Sequence, residues 1–593
     1  MMIQTLIFMA AMVLPEQVKI TDYGAKPDSR ENALPAIVKA LKDCHGNGTK
    51  RLVFPKGRYD IWPDDKLGNT GLDIYKFKDF TIEGKHADLV FHGTMTVARI
   101  DSCSNVRVEG FTIDWDRPFT SQCVVADADR DHLDVEIDSV QYPYVIENGK
   151  IFFTGEGWKL PVLDSYNNMY DCKRKEIVYN TWDNPLGNVF GQRAERLADG
   201  KVRFHDRLPL LPEKGTYVSL FHVRYYREGF FVGNSRDITL RNITLYHTLS
   251  CGVYGVRTEN ITLDGFSCTV NDKKDRCFST IADASHFTNC RGTILVENCN
   301  HTGQGDDFIN VHGRNVEILD IIDDHTVSVG NQGYVFLPPD SVWLVSRETA
   351  QRGEVRKVAS CRAVSDEKKA DTGFIISFTE PLPASLHKGD ILENKSWNAS
   401  FVMRNCKVLK RNRARGILVT TPKDVIIENN YFHTAGTAVL IEGDTDYWFE
   451  SGANTNVQIR NNVFDNCLTS GNRDGNRWQW GDAVITITPS HQPKTVDDLP
   501  YHHDIHIEDN TFRVFDAPLV HARSVGDLRF ENNKIVRTKD YKPYAWQKTS
   551  FLLEGCREVR IQNNRWDKAY APRTLETHQM RPSDVQTTEL ERK

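Results

Sequence analysis

The sequence predicts an all-β chain: a right-handed parallel β-helix with two inserted small antiparallel β-barrel domains and an N-terminal helical cap. Three observations predict it. First, short apolar–x–apolar runs end repeatedly on Gly or Asn. They are FTIEG at Gly84, VRVEG at Gly110, ITLRN at Asn242, ITLDG at Gly265, ILVEN at Asn298, FVMRN at Asn405, VIIEN at Asn429, VQIRN at Asn461, LRFEN at Asn532 and VRIQN at Asn563, with IHIED at Asp509 as a variant. Second, several of these runs recur at intervals of 23 to 26 residues, which suits one solenoid coil per repeat. Third, the corner residue of such a coil often takes φ > 0, which Gly and Asn allow most cheaply. A β-sandwich array would need hairpin turns at regular spacing, and a leucine-rich repeat a longer Leu pattern; the sequence has neither.

The elements follow in order. Residues 1–17 read as a signal segment, with 6–14 apolar, although no Lys or Arg precedes them; export to the periplasm or beyond is expected. Residues 18–120 hold the cap and the first coils. Within them 18–23 alternates as a short strand, Ser29 or Asn32 can cap a helix, and 33–44 is amphipathic with Ile37, Val38 and Leu41 on one face. Residues 51–60 follow as a strand with a Pro-Lys-Gly turn. A cap of this kind covers the open strand edge at a solenoid's end. Residues 121–227 break the rhythm with alternating strands and hairpin-like turns, and 315–394 repeat that style; each reads as an inserted barrel. Coils with the candidate catalytic aspartates occupy 228–314, further coils 395–580. The polar tail 581–593 is expected to fray.

At 593 residues the chain suits several domains or a solenoid. With 40% hydrophobic and 26% charged residues it is neither disordered nor a membrane protein. A net charge of −6 without a basic block excludes a nucleic-acid backbone as ligand. Beyond the N-terminus no apolar run approaches the roughly 20 residues of a membrane span. None of the 13 cysteines forms a CxxC pair, which argues against zinc. Cys268, Cys290, Cys299, Cys406 and Cys467 recur at equivalent places and read as buried thiols.

The chemistry concentrates in 301–313, HTGQGDDFINVHG, with the adjacent Asp306 and Asp307. Asp283 lies 23 residues before Asp306, so the repeat stacks the two on neighbouring coils, about 4.8 Å apart. Neighbours in a strand point to opposite faces; Gly303 and Gly305 permit a bend that displays both aspartates. Three crowded carboxylates should raise one pKa, and a fold tolerates such a cluster for a metal ion or for acid/base chemistry. Carboxylates without a nucleophile–base pair point to glycoside hydrolysis, one acid protonating the leaving oxygen and another carboxylate activating water. Separations of roughly 6.5–9.5 Å would invert and roughly 5–5.5 Å retain; the sequence leaves both open. His312 is placed to bond substrate or tune a carboxylate, and Arg415 to hold a sugar hydroxyl or cap a turn. The insertion 442–452 gathers Glu442, Asp444, Asp446, Trp448 and Glu450. An aromatic face beside carboxylates suits a sugar; a loop cap with Trp448 packed on the coil and a calcium site are the competing readings.

ITDYGAKPDSRENALPAIVKALKDC followed by LVFPKGRYDIWP resembles the N-terminal cap of pectinase-type β-helix enzymes. Asp283, Asp306 and Asp307 resemble the three aspartates of polygalacturonases, but only VHGR and RARG stand where those enzymes carry Gly-His-Gly and Arg-Ile-Lys. Over its whole length, both inserts and EGDTDYWFESG included, the chain resembles glycoside hydrolase family 110, α-1,3-galactosidases that remove the terminal galactose of the blood group B determinant. The resemblance implies inversion, no metal or other cofactor, and Asp283, Asp306 and Asp307 as the catalytic set, with Asp306 the acid and the other two holding water. The implied partner is a glycan with terminal α-galactose, branched or linear; a homodimer stays open. A lyase on the same scaffold, with a basic residue and calcium, and a non-catalytic glycan-binding β-helix are the rival functions.

Overall fold

The computed structural model describes residues 16–592 apart from 165, 365–372, 471–479, 545–547 and 572. The apolar segment 6–14 lies outside the described residues. The chain winds into a parallel β-helix. A 15-stranded sheet forms one side and a 7-stranded sheet of mostly two- to four-residue strands another. The third side carries the site: Phe230–Gly233, Val253–Val256, Ser285–Thr288, the start of Ile309–Asp323, Ile417–Thr420, Val439–Ile441, Ile485–Ile487 and Val520–Arg523 pair in parallel in that order. Inward residues such as Ile309, Ile417, Val439 and Ile485 are fully buried and form one column of the core. Of the eleven predicted corners, all but Gly84 have positive φ, from Asn242 at 48° to Gly110 at 81°. Gly84 serves a different need: a Cβ there would meet the Phe111 ring at 2.5 Å.

In the later coils the residue after each corner is also Asn, and these side chains form a buried ladder. Asn430 N donates to Asn462 Oδ1, Asn462 N to Asn510 Oδ1, Asn510 N to Asn533 Oδ1 and Asn533 N to Asn564 Oδ1, each at 2.9 Å. The ladder satisfies corner amides that have no strand partner. Its end corrects the expectation of a frayed tail. Glu589 accepts from Asn564 N (3.0 Å) and from Trp566 Nε1 (2.9 Å), while Val585–Gln586 and Glu591–Arg592 pair with the last coil. A second correction concerns the N-terminus. Only Gln17–Lys19 is a strand, and Ile20–Tyr23 is a 3-10 turn that leads towards the helix Leu34–Asn47, whose Leu34 N is capped by Asn32 Oδ1. All 13 cysteines are free, and all except Cys172 and Cys361 are buried.

The first insert wraps two antiparallel sheets around one core. Six strands run in the order Asn167–Tyr170, Tyr217–Phe221, Thr120–Ala128, His132–Glu136, Lys201–His205 and Arg193–Ala198, and three more pair over 144–160. By strand pairing the six-stranded sheet is open rather than closed. The second insert does close. The far half of Ile309–Asp323 pairs with Thr326–Val329, then come Gly373–Phe378, Arg352–Val364, Ser341–Val345 and Ile391–Asn394, which returns to the first strand. One continuous strand therefore leads from the site into this barrel.

Candidate functional site

Asp283, Asp306 and Asp307 lie at the corner that enters the third sheet. Ser285 pairs with Ile309 and Ile309 with Ile417. Two residues earlier this register aligns Asp283, Asp307 and Arg415 across three coils. The 24-residue offset makes Asp307, not Asp306, the stacked counterpart of Asp283, which corrects the interval of 23 assumed from the sequence. Hydrogen bonds carry the alignment into the corner: Asp307 N donates to Asp283 Oδ1 (3.0 Å), Ala284 N to Asp307 O (3.0 Å) and Phe308 N to Gly416 O (3.0 Å). Gly305 permits the tight approach, because a Cβ there would strike Ile281 O at 2.2 Å.

Each carboxylate has a different environment. Asp307 is 1% exposed and is gripped side-on by Arg415, Nε to Oδ1 at 2.9 Å and Nη2 to Oδ2 at 2.8 Å. Burial pushes its carboxyl up to about 6; Arg415 opposes that rise, and Asp306 and Asp283 add to it. Asp306 is half-buried and contacts Arg413 Nη1 at 2.8 Å. Arg413 is already paired with Asp183 of the first insert, Nη2 to Oδ2 at 2.6 Å. Burial opposes ionisation of Asp183, but Arg413 overcomes it and holds the carboxyl below the usual range. Asp306 thus meets a cation whose charge is largely spent elsewhere.

Asp283 is held by a two-histidine chain. Its Oδ2 lies 2.7 Å from His286 Nδ1; His286 Nε2 lies 2.9 Å from His312 Nε2; His312 Nδ1 lies 2.6 Å from the Gly313 carbonyl. The carbonyl only accepts, so His312 donates from Nδ1 and, when neutral, accepts at Nε2. His286 then donates from Nε2, and a single proton is shared between its Nδ1 and Asp283. Burial and the Asp306 charge push the Asp283 carboxyl well above its usual range, and burial pushes both imidazoles down. All three effects favour the proton on Asp283.

The 442–452 stretch arches back over the sheet, where Glu450 and Ser451 pair with Arg314 and Gly313. Glu450 accepts from Asn310 Nδ2 at 3.3 Å. Burial raises the carboxyls of Glu450 and of Glu442, the latter to about 7. Asp444 is the loop's cap, accepting from the amides of Asp446 (2.8 Å), Tyr447 (3.1 Å) and Trp448. Trp448 is 55% exposed and stands edge-on to exposed Tyr447, so the packed-on-coil reading of Trp448 is corrected. Of the sequence candidates, Asp283, Asp306, Asp307 and Arg415 share one contact network. His312 and Glu450 join it through His286, Glu442 through its charge interaction with Arg415, and Trp448 borders it through its backbone carbonyl, which accepts from Arg314 at 3.2 Å.

Four participants carry no sequence signal comparable to the paired aspartates: His286, Arg413, Asp183 and Tyr225, whose phenol is pushed up by burial and by Asp306 and Asp283. The position of His286 three residues after Asp283 is the one local cue. Several groups among the described residues have ligand-type atoms close enough to hold a metal ion, and two of them fall at this corner: Cys251, Asp283 and His286, and His286, His312 and Glu450. All four ring nitrogens already sit in hydrogen bonds, which an ion would have to displace.

A family profile described as "GLAA-B beta-barrel domain I" matches residues 121–218, the first insert. "Alpha-1,3-galactosidase B" of Bacteroides thetaiotaomicron is 34% identical, covering 96% of this chain and 94% of its own length. "Alpha-1,3-galactosidase A" of Bacteroides fragilis is 33% identical over 97% of this chain and 96% of its own. Among solved structures, an exopolygalacturonase from Thermotoga maritima aligns over 93% of this chain at 12% identity and a TM-score of 0.42. At that identity and coverage of the two relatives, the chain belongs to the alpha-1,3-galactosidase family, glycoside hydrolase family 110.

Proposed function

We propose that this protein is an exo-acting, inverting α-1,3-galactosidase that releases terminal galactose from blood group B-type glycans and from linear α-1,3-galactosides. The observation that carries the reading is the convergence of three carboxylates held in three different ways at one corner. Asp306, half-buried beside an Arg413 that Asp183 also pairs, is the acid that protonates the departing oxygen. Asp307, kept largely ionised at neutral pH by the Arg415 fork, takes the proton of the attacking water, and Asp283 orients that water. Water attacks the anomeric carbon from the face opposite the leaving group, and no side chain bonds to carbon. The exo mode is supported by the cover on the upstream side, where Tyr254 packs against His286 (5.6 Å between centroids) and is bonded by Tyr334 of the second barrel.

Proton NMR of the fresh product tests the reading: β-galactose should appear first from an α-linked substrate, and α-galactose first would refute it. Asp306→Asn should lower turnover of an α-1,3-linked disaccharide by about 10²-fold or more and spare an aryl galactoside with a good leaving group. The raised proton affinity of Asp283 favours one second reading, in which Asp283 is the acid; Asp283→Asn would then show that leaving-group pattern instead. Activity should survive dialysis against EDTA, because the reading uses no metal. The apolar segment 6–14 supports export, which N-terminal sequencing of secreted protein would test.

A further inference from the structure

Downstream of the aspartates, the outer face of the third sheet opens into a cavity of about 360 Å³, lined by Glu442, Asp482, Thr488, Gln492, His521 and Arg523 among others. That volume lies within the range of small-molecule sites, roughly 300–1,000 Å³. Glu442 belongs to both places: its carboxyl responds to the charges of Arg415 and Asp307, and its side chain forms the near wall of the cavity. The far wall stands two coils on. Val439 pairs with Ile485 and Ile485 with Val520, so the cavity reaches across two strand spacings, about 10 Å.

Its lining offers acceptors and donors side by side. Glu442, Asp446 and Asp482 accept, while Arg523, Gln492 and Thr488 donate. Arg523 spends Nε on Glu554 at 2.7 Å, and among the described residues no contact engages its two terminal nitrogens. His521 is held between Asp482 (3.3 Å) and Glu554 (3.2 Å). A wall of alternating donors and acceptors matches vicinal hydroxyl groups, which do both. The three carboxylates disfavour an anionic sugar. The cavity lies on the side of the aspartates away from the Tyr254–Tyr334 cover, where the remainder of a glycan must leave if its terminal residue sits at the corner.

We propose that this cavity is a binding site for the reducing-side sugars of a neutral oligosaccharide, with Arg523 and Gln492 as specificity-determining residues. The proposal rests on the galactosidase reading. Binding energy from these remote sugars would serve catalysis at the corner.

The test has two arms. In the first, kcat/KM is compared for an α-1,3-linked galactobiose and for a neutral tetrasaccharide ending in the same linkage. The wild-type enzyme should prefer the tetrasaccharide by about tenfold, the scale of one or two hydrogen bonds. Arg523→Ala combined with Gln492→Ala should remove that preference and leave hydrolysis of an aryl α-galactoside unchanged, with thermal melting checking that the variant is folded. No chain-length preference, or one that survives both substitutions, overturns the proposal. The second arm measures binding of the galactose-free trisaccharide to Asp306→Asn enzyme by titration calorimetry. It reads the cavity even if α-1,3-galactosides prove not to be substrates. Binding lost on adding Arg523→Ala supports the site, and absence of binding overturns it independently of the catalytic reading.

Discussion

Replacing Arg415 with Met removes the fork on Asp307 and tests which carboxylate is the base. The two charge-assisted bonds, 2.9 and 2.8 Å long, are made to a carboxylate only 1% exposed. Breaking a buried pair on one side costs about 3–5 kcal/mol. The folded protein can relieve most of that by protonating Asp307. If about 3 kcal/mol is expressed as proton affinity, at 1.36 kcal/mol per pH unit, the midpoint rises by about two pH units. Asp307 titrates at about 6 in the intact site, so it would do so near 8 in the variant. At pH 7 its ionised fraction would fall from about nine-tenths to about one-tenth. The assay is kcat/KM for an aryl α-galactoside between pH 5 and 9. A base must be ionised, so the acid limb should lie near 6 in the wild type and move up in Arg415→Met. The loss should be about tenfold at pH 7 and smaller at pH 9. A uniform loss at every pH with an unmoved acid limb would refute the reasoning. Arg415 would then act on the sugar itself, and Asp307 would not be the base.

Glu442→Gln should stabilise the protein at pH 8 and leave it unchanged at pH 4. The folded-state pKa of about 7 exceeds the free value of 4.5, so the stability linked to this group is present below about 4.5 and is lost as pH rises through 7. Discounted for partial solvation, the gain on removing the charge is on the order of 2 kcal/mol, measured as a pH-dependent change in melting temperature. His312→Leu removes the acceptor for His286 Nε2–H and frees the ring to adopt the other tautomer. It should lower kcat on the order of tenfold with little change in KM, and an unaltered pH profile together with wild-type kcat would eliminate the two-histidine chain from the mechanism. Glu589→Ala should cost about 1–2 kcal/mol of stability by leaving Asn564 N–H and Trp566 Nε1–H without their acceptor, while aryl galactoside turnover at 25 °C stays at the wild-type level.

The features legible in the sequence are those whose cause is local. A corner at φ near 55° favours Gly or Asn, so Asn405, Asn429 and Asn461 announce themselves one coil at a time, and Asp509 takes the same conformation as an exception. The paired aspartates between glycines are visible for the same reason: the backbone approach of Gly305 to Ile281 O is written into the residue type. What stayed hidden depends on register and on partners brought from afar. A 23-residue spacing and a 24-residue spacing look alike in a repeat with variable turns, yet that single residue decides whether Asp283 stacks on Asp307 or on Asp306. Arg413 and Arg415 are two apart in the corner before Ile417–Thr420, but they serve different carboxylates: Arg415 grips Asp307, while Arg413 also pairs with Asp183, 230 residues upstream on the first insert. No periodicity encodes that contact. It exists because the insert folds back onto the corner, and it gives the insert a chemical part to play: Asp183 and Asp306 share the Arg413 guanidinium. On the reading that Asp306 is the acid, the inserted domain sets which charges stand beside it.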